Sequence, residues 1–368
     1  MLATLTALLL LQDPQLDEAI KADRERIAAK KALTADEAKA YAAVSALPKT
    51  PAVKARAGCR IAFVPVEFDD AKRGSRDLAK EAARLRDFYR AMSGGAFELA
   101  WTVKAAAAIE GTREAFGKRA IGSWEEKRAI AGLAAAAVEG ADAIVFVAAG
   151  KIGARGTALW PHKESVELSD RTLDYLVVPE EADAHWLGIL AHEFGHVLDL
   201  EDKYEDKAAK VGRWCLMGTG YLGDKEDNPM PFCGVCRERL GWTASAVVDA
   251  KEPVALALSP GDLARVAMGR DGKEALVLEM RDARTLIAWH TGGGKPIELA
   301  GVFPSKSTDR LTPWSDPPLM ARTFGAQAPW LTDVRVEGGR AFVRLAPSGE
   351  PTPLEALRRS RVGKELGK

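Results

Sequence analysis

The sequence predicts an α+β protein in two parts, a strand-and-helix domain of catalytic type followed by a smaller β-rich unit. Up to about Trp242, apolar strand-like runs alternate with segments of helical period, as a sheet covered by helices requires. Beyond it, short alternating runs such as Glu274 to Glu279 and Arg340 to Leu345 stand between Gly, Pro and Asp clusters, which reads as β structure. The 368 residues exceed one small module at roughly 150 residues per domain. Hydrophobic residues at 47% and charged residues at 28% supply a core and exclude wholesale disorder. The 52 basic and 52 acidic residues cancel, which excludes a nucleic-acid or anionic-membrane binder built on a strong positive field. Function must therefore come from a local site.

Each segment follows from its composition. Leu2 to Leu11 has the length of a signal-peptide apolar region and is too short to span a bilayer, so residues 1–12 suggest export to a secreted or extracytoplasmic location. No transmembrane segment is expected elsewhere. Residues 13–57 read as a helical arm and linker: Asp13 to Ala46 is rich in Ala, Lys, Glu and Asp, and Pro48 and Pro51 break it. The catalytic-type domain is expected at 58–242. In it, Arg60 to Phe68 reads as a strand, Ser75 to Met92 as a helix with Leu78, Ala82, Leu85, Phe88 and Tyr89 at helical spacing, 125–138 as an Ala-rich helix and Ala143 to Ala148 as a buried strand. The β-rich unit is expected at 243–345 and a charged tail at 346–368. No internal repeat is present.

Five histidines occur in the chain, and two of them fall in His192-Glu193-Phe194-Gly195-His196. This HExxH segment continues an apolar stretch from Trp186, with Asp183 placed as an N-cap. On a helix, residues four apart lie on one face, so both imidazoles can aim at one ion. Glu193 then stands beside the ion's open position, where it can take a proton from a metal-bound water. That is the arrangement of a zinc metallopeptidase. Catalytic zinc usually takes three protein ligands, and Asp202, past the expected helix end, is the candidate third; Asp199 and Glu205 are alternatives. Tyr204 and Tyr221 could steady an oxyanion, but buried structural rings are the commoner reading. His162 and His185 are left outside the site.

With these residues in view, the chain resembles the immune inhibitor A-like zinc metallopeptidases. The stretch from His192 to Tyr204 is similar to the family's zinc helix, turn, Asp ligand and following Tyr, and Trp214-Cys215-Leu216-Met217-Gly218 resembles its Met-containing turn. Val66 to Asp70, Phe88 to Gly95, Trp160-Pro161-His162, Leu240-Gly241-Trp242, Leu278 to Arg281 and the final strand near Phe342 are similar to further landmarks. The resemblance implies a zincin-like domain with a mixed sheet, bound Zn2+, a protein or peptide substrate and hydrolysis by a secreted metalloprotease. Two positions depart from the pattern: Asp199 replaces a Gly at the sharp turn after the helix, and Glu201 replaces a Pro before Asp202. Asp tolerates the left-handed conformation better than most residues. Rival readings are an inactive peptidase-fold binding module, against which the intact Glu193 argues, and a zinc amidase acting on a smaller substrate.

Three of the four cysteines, Cys215, Cys233 and Cys236, lie close in sequence. A closed zinc site wants four ligands, which would need Cys59 to fold back. A thioredoxin-like role lacks its βαβ setting. The expected state is a disulfide from Cys215 to Cys233 or Cys236, which for a loop of this size would stabilise by roughly 3 kcal/mol.

Overall fold

The computed structural model of the chain describes residues 33–137, 140–181, 185–204, 211–223, 227–268, 273–292, 295–303 and 330–346. The signal-like segment 1–12, most of the helical arm and the charged tail at 346–368, apart from its first residue, lie outside them. The chain divides into two compact units, Ala52–Thr243 and a second made of Met1–Pro51 with Ala244–Lys368. No helix among the described residues is long and apolar enough to cross a membrane.

The described part opens with α1 (Ala35–Lys39) and the short strand β1 (Ala42–Ala43), both in the second unit. Thr34 starts α1 by a capping box: its hydroxyl accepts from the Glu37 N–H at 3.2 Å, and the Glu37 carboxylate accepts from the Thr34 N–H at 2.8 Å. The sequence instead suggests helix from Asp13 through to Ala46. Tertiary partners override propensity here. Beyond Lys39 the chain extends, β1 pairs in parallel with Leu256 and Ala257, and Tyr41 meets Phe342 edge to face at 5.3 Å.

The unit from Ala52 is built on a mixed sheet. Its strands are β2 (Gly58–Glu67), β3 (Glu98–Val103), β4 (Ala107–Ala108), β5 (Ala143–Lys151), β6 (His162–Glu167) and β7 (Thr172–Glu181). The order is β3-β2-β5-β7-β6, with β4 also on β2. All pairs are parallel except β6 with β7, so β6 is an antiparallel edge. Its helices are α2 (Leu78–Met92), α3 (Arg113–Gly117), α4 (Trp124–Ala137), α5 (Trp186–Val197) and α6 (Gly234–Arg239).

Strands β2, β5 and β7 are apolar almost throughout because both faces of the sheet are covered. On one face Ala62, Val64, Val66, Ile144, Phe146 and Val177 pack with Ile130 and Ala134 of α4. The alternate residues Ile61, Phe63, Val145, Leu176 and Val178 are equally buried, and α5 contacts β7, β6 and α2. Between α2 and α5, the Tyr89 ring meets Phe194 edge to face at 5.0 Å, and its hydroxyl donates to the Ala191 carbonyl at 2.7 Å. Removing such a buried ring typically costs about 3–5 kcal/mol. This contact fixes α5 at its centre.

The second unit consists of β8 (Ala246–Val248), β9 (Val254–Leu258), β10 (Leu263–Met268), β11 (Glu274–Asp282), β12 (Thr285–Gly292), β13 (Lys295–Phe303), β14 (Trp330–Glu337) and β15 (Arg340–Ala346), with β1. They form two sheets, β1-β9-β15-β14 and β13-β12-β11-β10-β8. Residues two apart point to one face of a strand. Leu276, Leu278 and Met280 of one sheet therefore join Leu256, Leu258, Val343 and Leu345 of the other in a single core.

Candidate active site

Helix α5 carries the HExxH segment and is buried along almost its whole length. Its first N–H groups need acceptors. Asp183 lies outside the described residues; the acceptor is Asp227, whose carboxylate takes the N–H of Leu187 at 2.9 Å and of Gly188 at 3.3 Å. Two glycines let other segments touch the helix. A Cβ on Gly188 would collide with the backbone carbonyl of Tyr221, and one on Gly195 would stand 2.5 Å from Met217 Sδ and 3.2 Å from the Phe232 ring.

The helix ends sharply. Leu198 is its C-cap and Asp199 adopts φ 59°, the left-handed region, so Asp performs the turn for which Gly is better suited. The N–H groups of Asp199 and Leu200 bond the His196 and Gly195 carbonyls at 3.1 and 3.2 Å. This reversal brings the loop back over the helix. His196 Nδ1 faces the Leu200 carbonyl at 2.7 Å and His192 Nδ1 faces the Leu216 carbonyl at 2.9 Å, so each Nδ1 carries the hydrogen. Each ring therefore presents Nε2, and both point at Asp202 Oδ1, at 2.9 Å from His192 and 3.5 Å from His196.

The ligand atoms of His192, His196 and Asp202 all lie within 4.8 Å of one another. Two imidazole nitrogens oriented by carbonyls and one carboxylate oxygen form a donor set suited to zinc. Asp199 is not in this group, and Glu205 lies outside the described residues. Burial would raise the Asp202 carboxyl, but the His192 and His196 rings beside it hold it far below the usual range. Glu193, 9% exposed, is pushed upward by burial, against the pull of His192, His196 and His162.

Around this group lies an open cavity of 980 Å³, lined among others by Trp160, His162, Glu193, Tyr204 and Tyr221. Tyr204 stacks on His192 at 5.9 Å and Tyr221 meets it edge-on at 5.2 Å. Burial raises both phenols, so they remain protonated. Below, Cys215, Leu216 and Met217 are fully buried, and the Lys203 N–H bonds the Met217 carbonyl at 2.7 Å, joining the returning loop to the Met-containing turn.

His162, left outside the site by sequence reasoning although it belongs to the Trp160-Pro161-His162 landmark, lines the cavity wall. Its two nitrogens face two acceptors, the Trp160 carbonyl at 2.6 Å and Glu126 Oε1 at 2.8 Å. Tyr175 also donates to that Glu126 oxygen, at 3.0 Å. His185, the residue preceding α5, stands apart from the ligand group.

The expected disulfide is not formed. Cys215, Cys233 and Cys236 are in no disulfide and are buried, and Cys59 lies apart on β2 beside Arg56. The three sulfurs converge instead of pairing off, all within 4.8 Å of one another.

A mixed-sheet α/β unit holds this cluster in an open cavity. Residues 131–238 match the immune inhibitor A peptidase M6 catalytic domain, in agreement with the resemblance carried by the motifs, and this match supports a metallopeptidase, a hydrolase. Among solved structures, the chain is similar to archaemetzincin from Methanopyrus kandleri, at 15% identity and TM-score 0.31 over 50% of this chain and 94% of that one. It is similar to metalloproteinase-II from Bacteroides fragilis at 14% identity and TM-score 0.34, over 53% and 57% of the two chains. Wild-type OgpA from Akkermansia muciniphila gives 14% identity and TM-score 0.36, over 69% and 84%. No curated protein matches.

Proposed function

We propose that the protein is a zinc-dependent endopeptidase in which His192, His196 and Asp202 hold the metal and Glu193 is the general base. The observation that carries this reading is the convergence of the three ligand atoms within 4.8 Å at the foot of a cavity whose wall includes Glu193. Zinc, when bound, would lower the pKa of a coordinated water and polarise the scissile carbonyl.

The chain's own groups supply the rest. Glu193 accepts a proton from the attacking water and delivers it to the leaving amine, and a carboxyl raised by burial is the better proton carrier near neutral pH. The Leu200 and Leu216 carbonyls fix the tautomers of His196 and His192. Strand β6 pairs only with β7 among the described residues, and His162 and Lys163 at its start line the cavity. Its other edge offers backbone groups to which an extended peptide can add as a strand. That favours a polypeptide over a compact amide substrate. Export is part of this proposal and rests on residues 1–12, outside the described residues.

Casein digestion with and without a chelator tests the activity. Glu193→Ala is expected to retain zinc and lose roughly 10²–10⁴-fold in rate; full activity in that variant would overturn the mechanism.

A further inference from the structure

Cys215, Cys233 and Cys236 are 0%, 0% and 1% exposed, and their sulfurs share one small volume. Cys215 Sγ and Cys236 Sγ are 3.9 Å apart. Two thiolates on one tetrahedral zinc, each about 2.3 Å from the ion, stand about 3.8 Å apart. Backbone donors point at the same place: the Cys233 N–H reaches Cys215 Sγ at 3.3 Å, and the Met217 N–H bonds that sulfur as well. Apolar packing alone does not aim N–H groups at a sulfur, whereas a buried thiolate needs them.

We propose that these three cysteines form a second metal site, a structural zinc centre beneath the Met-containing turn and separate from the histidine cluster. The ion accepts three thiolates and leaves its fourth position to an atom that is not a cysteine sulfur, since Cys59 stands apart on β2. Zinc fits because thiolates select soft cations and the buried position favours a redox-inert one. The site joins two segments. Cys215 precedes Leu216, whose carbonyl orients His192, while Cys233 caps α6 and Cys236 lies within it. The centre thus pins the carbonyl that sets a catalytic-site tautomer, although its existence does not depend on the peptidase reading.

Elemental analysis of the full chain, purified with a reductant and then desalted, should find two zinc equivalents per chain. The double variant His192→Ala/His196→Ala should retain one. Loading cobalt in place of zinc into that variant should give thiolate-to-cobalt charge-transfer absorption, and titrating wild type with a mercurial should release one zinc as three thiols react. At most one zinc in wild type, lost in the double variant, would overturn the proposal. So would a disulfide between any two of the three cysteines in unreduced protein, found by peptide mapping. A wild type holding one mercurial-releasable zinc but none dependent on the histidines would sink the proposed catalytic site and leave this one standing.

Discussion

Gly195 illustrates how much of the site depends on a missing methyl group. It sits inside HExxH, where a helix former would be favoured by about 1 kcal/mol, yet Met217 and the Phe232 ring press directly on it. Gly195→Ala is expected to destabilise by about 1–3 kcal/mol through overpacking, read as a lower urea midpoint with unchanged slope; an unchanged midpoint would show that Met217 simply swings aside. His162 offers a pH test. Both its nitrogens face acceptors, and only the doubly protonated ring donates to both. Burial alone would lower its pKa, but Glu126 and the Trp160 carbonyl raise it. The charged ring therefore stabilises fully below the unfolded value of about 6.5, and that contribution fades as pH rises through the folded value. The gap in melting temperature between wild type and His162→Gln should narrow as pH increases; a gap that widens would show a neutral ring. At this scale the sequence was a good guide to which side chains converge. Two histidines at helical spacing announce themselves, and Asp199 was readable as a left-handed turn. His162 was not, because its partner Glu126 comes from a helix distant in sequence.

Helix α5 is positioned by three contacts that sequence spacing does not reveal: Tyr89 at its middle, Met217 below and Asp227 at its start. The neighbouring apolar run and the HExxH period made the helix legible, but the nearby Asp183 drew attention away from the remote cap. Arg84 holds Asp227 in place, its Nη2 donating to the Asp227 carbonyl at 3.1 Å. Asp227→Ala should cost about 1 kcal/mol, as the loss of an N-cap does, and should loosen zinc because the helix start frays. Competition with a chromophoric chelator would measure this, and undiminished affinity would mean that the hydrophobic contacts suffice. Strand β6 was missed for a different reason. Its sequence, His162-Lys163-Glu164-Ser165-Val166-Glu167, is polar, as an edge strand beside a cavity is free to be, whereas β2 and β5 declare themselves by being apolar on both faces.

Across the whole chain, the change of texture near Trp242 marked where β structure takes over. Nothing in the composition announced that residues before Pro51 complete that β unit. Tyr41 and Val44 flank the two-residue strand Ala42–Ala43 in an Ala-rich stretch, and only distant partners disclose that strand where propensity suggests helix. Val44 is fully buried in the core shared by the two β sheets. Deleting residues 1–57 should leave Leu256 and Ala257 of β9 without their β1 partners and open that core. Limited proteolysis should then cut the C-terminal β unit faster in the truncated protein; equal rates would make the N-terminal segment a dispensable arm.

The interlock of Thr50 with Ser245 has a further consequence. The Thr50 N–H donates to the Ser245 carbonyl at 2.7 Å, and the Ser245 N–H donates to Thr50 Oγ1 at 3.2 Å, so the stems on either side of the peptidase unit are clasped side by side. In topological terms the peptidase unit is an excursion from one β framework that resumes where it broke off. During ribosomal synthesis the excursion can close on its own contacts as soon as it emerges, while β1 must wait for β9 and β15. The order of folding is thereby reversed relative to the order of the chain: β1, which precedes the peptidase unit, finds its β9 partner only after that unit has been made.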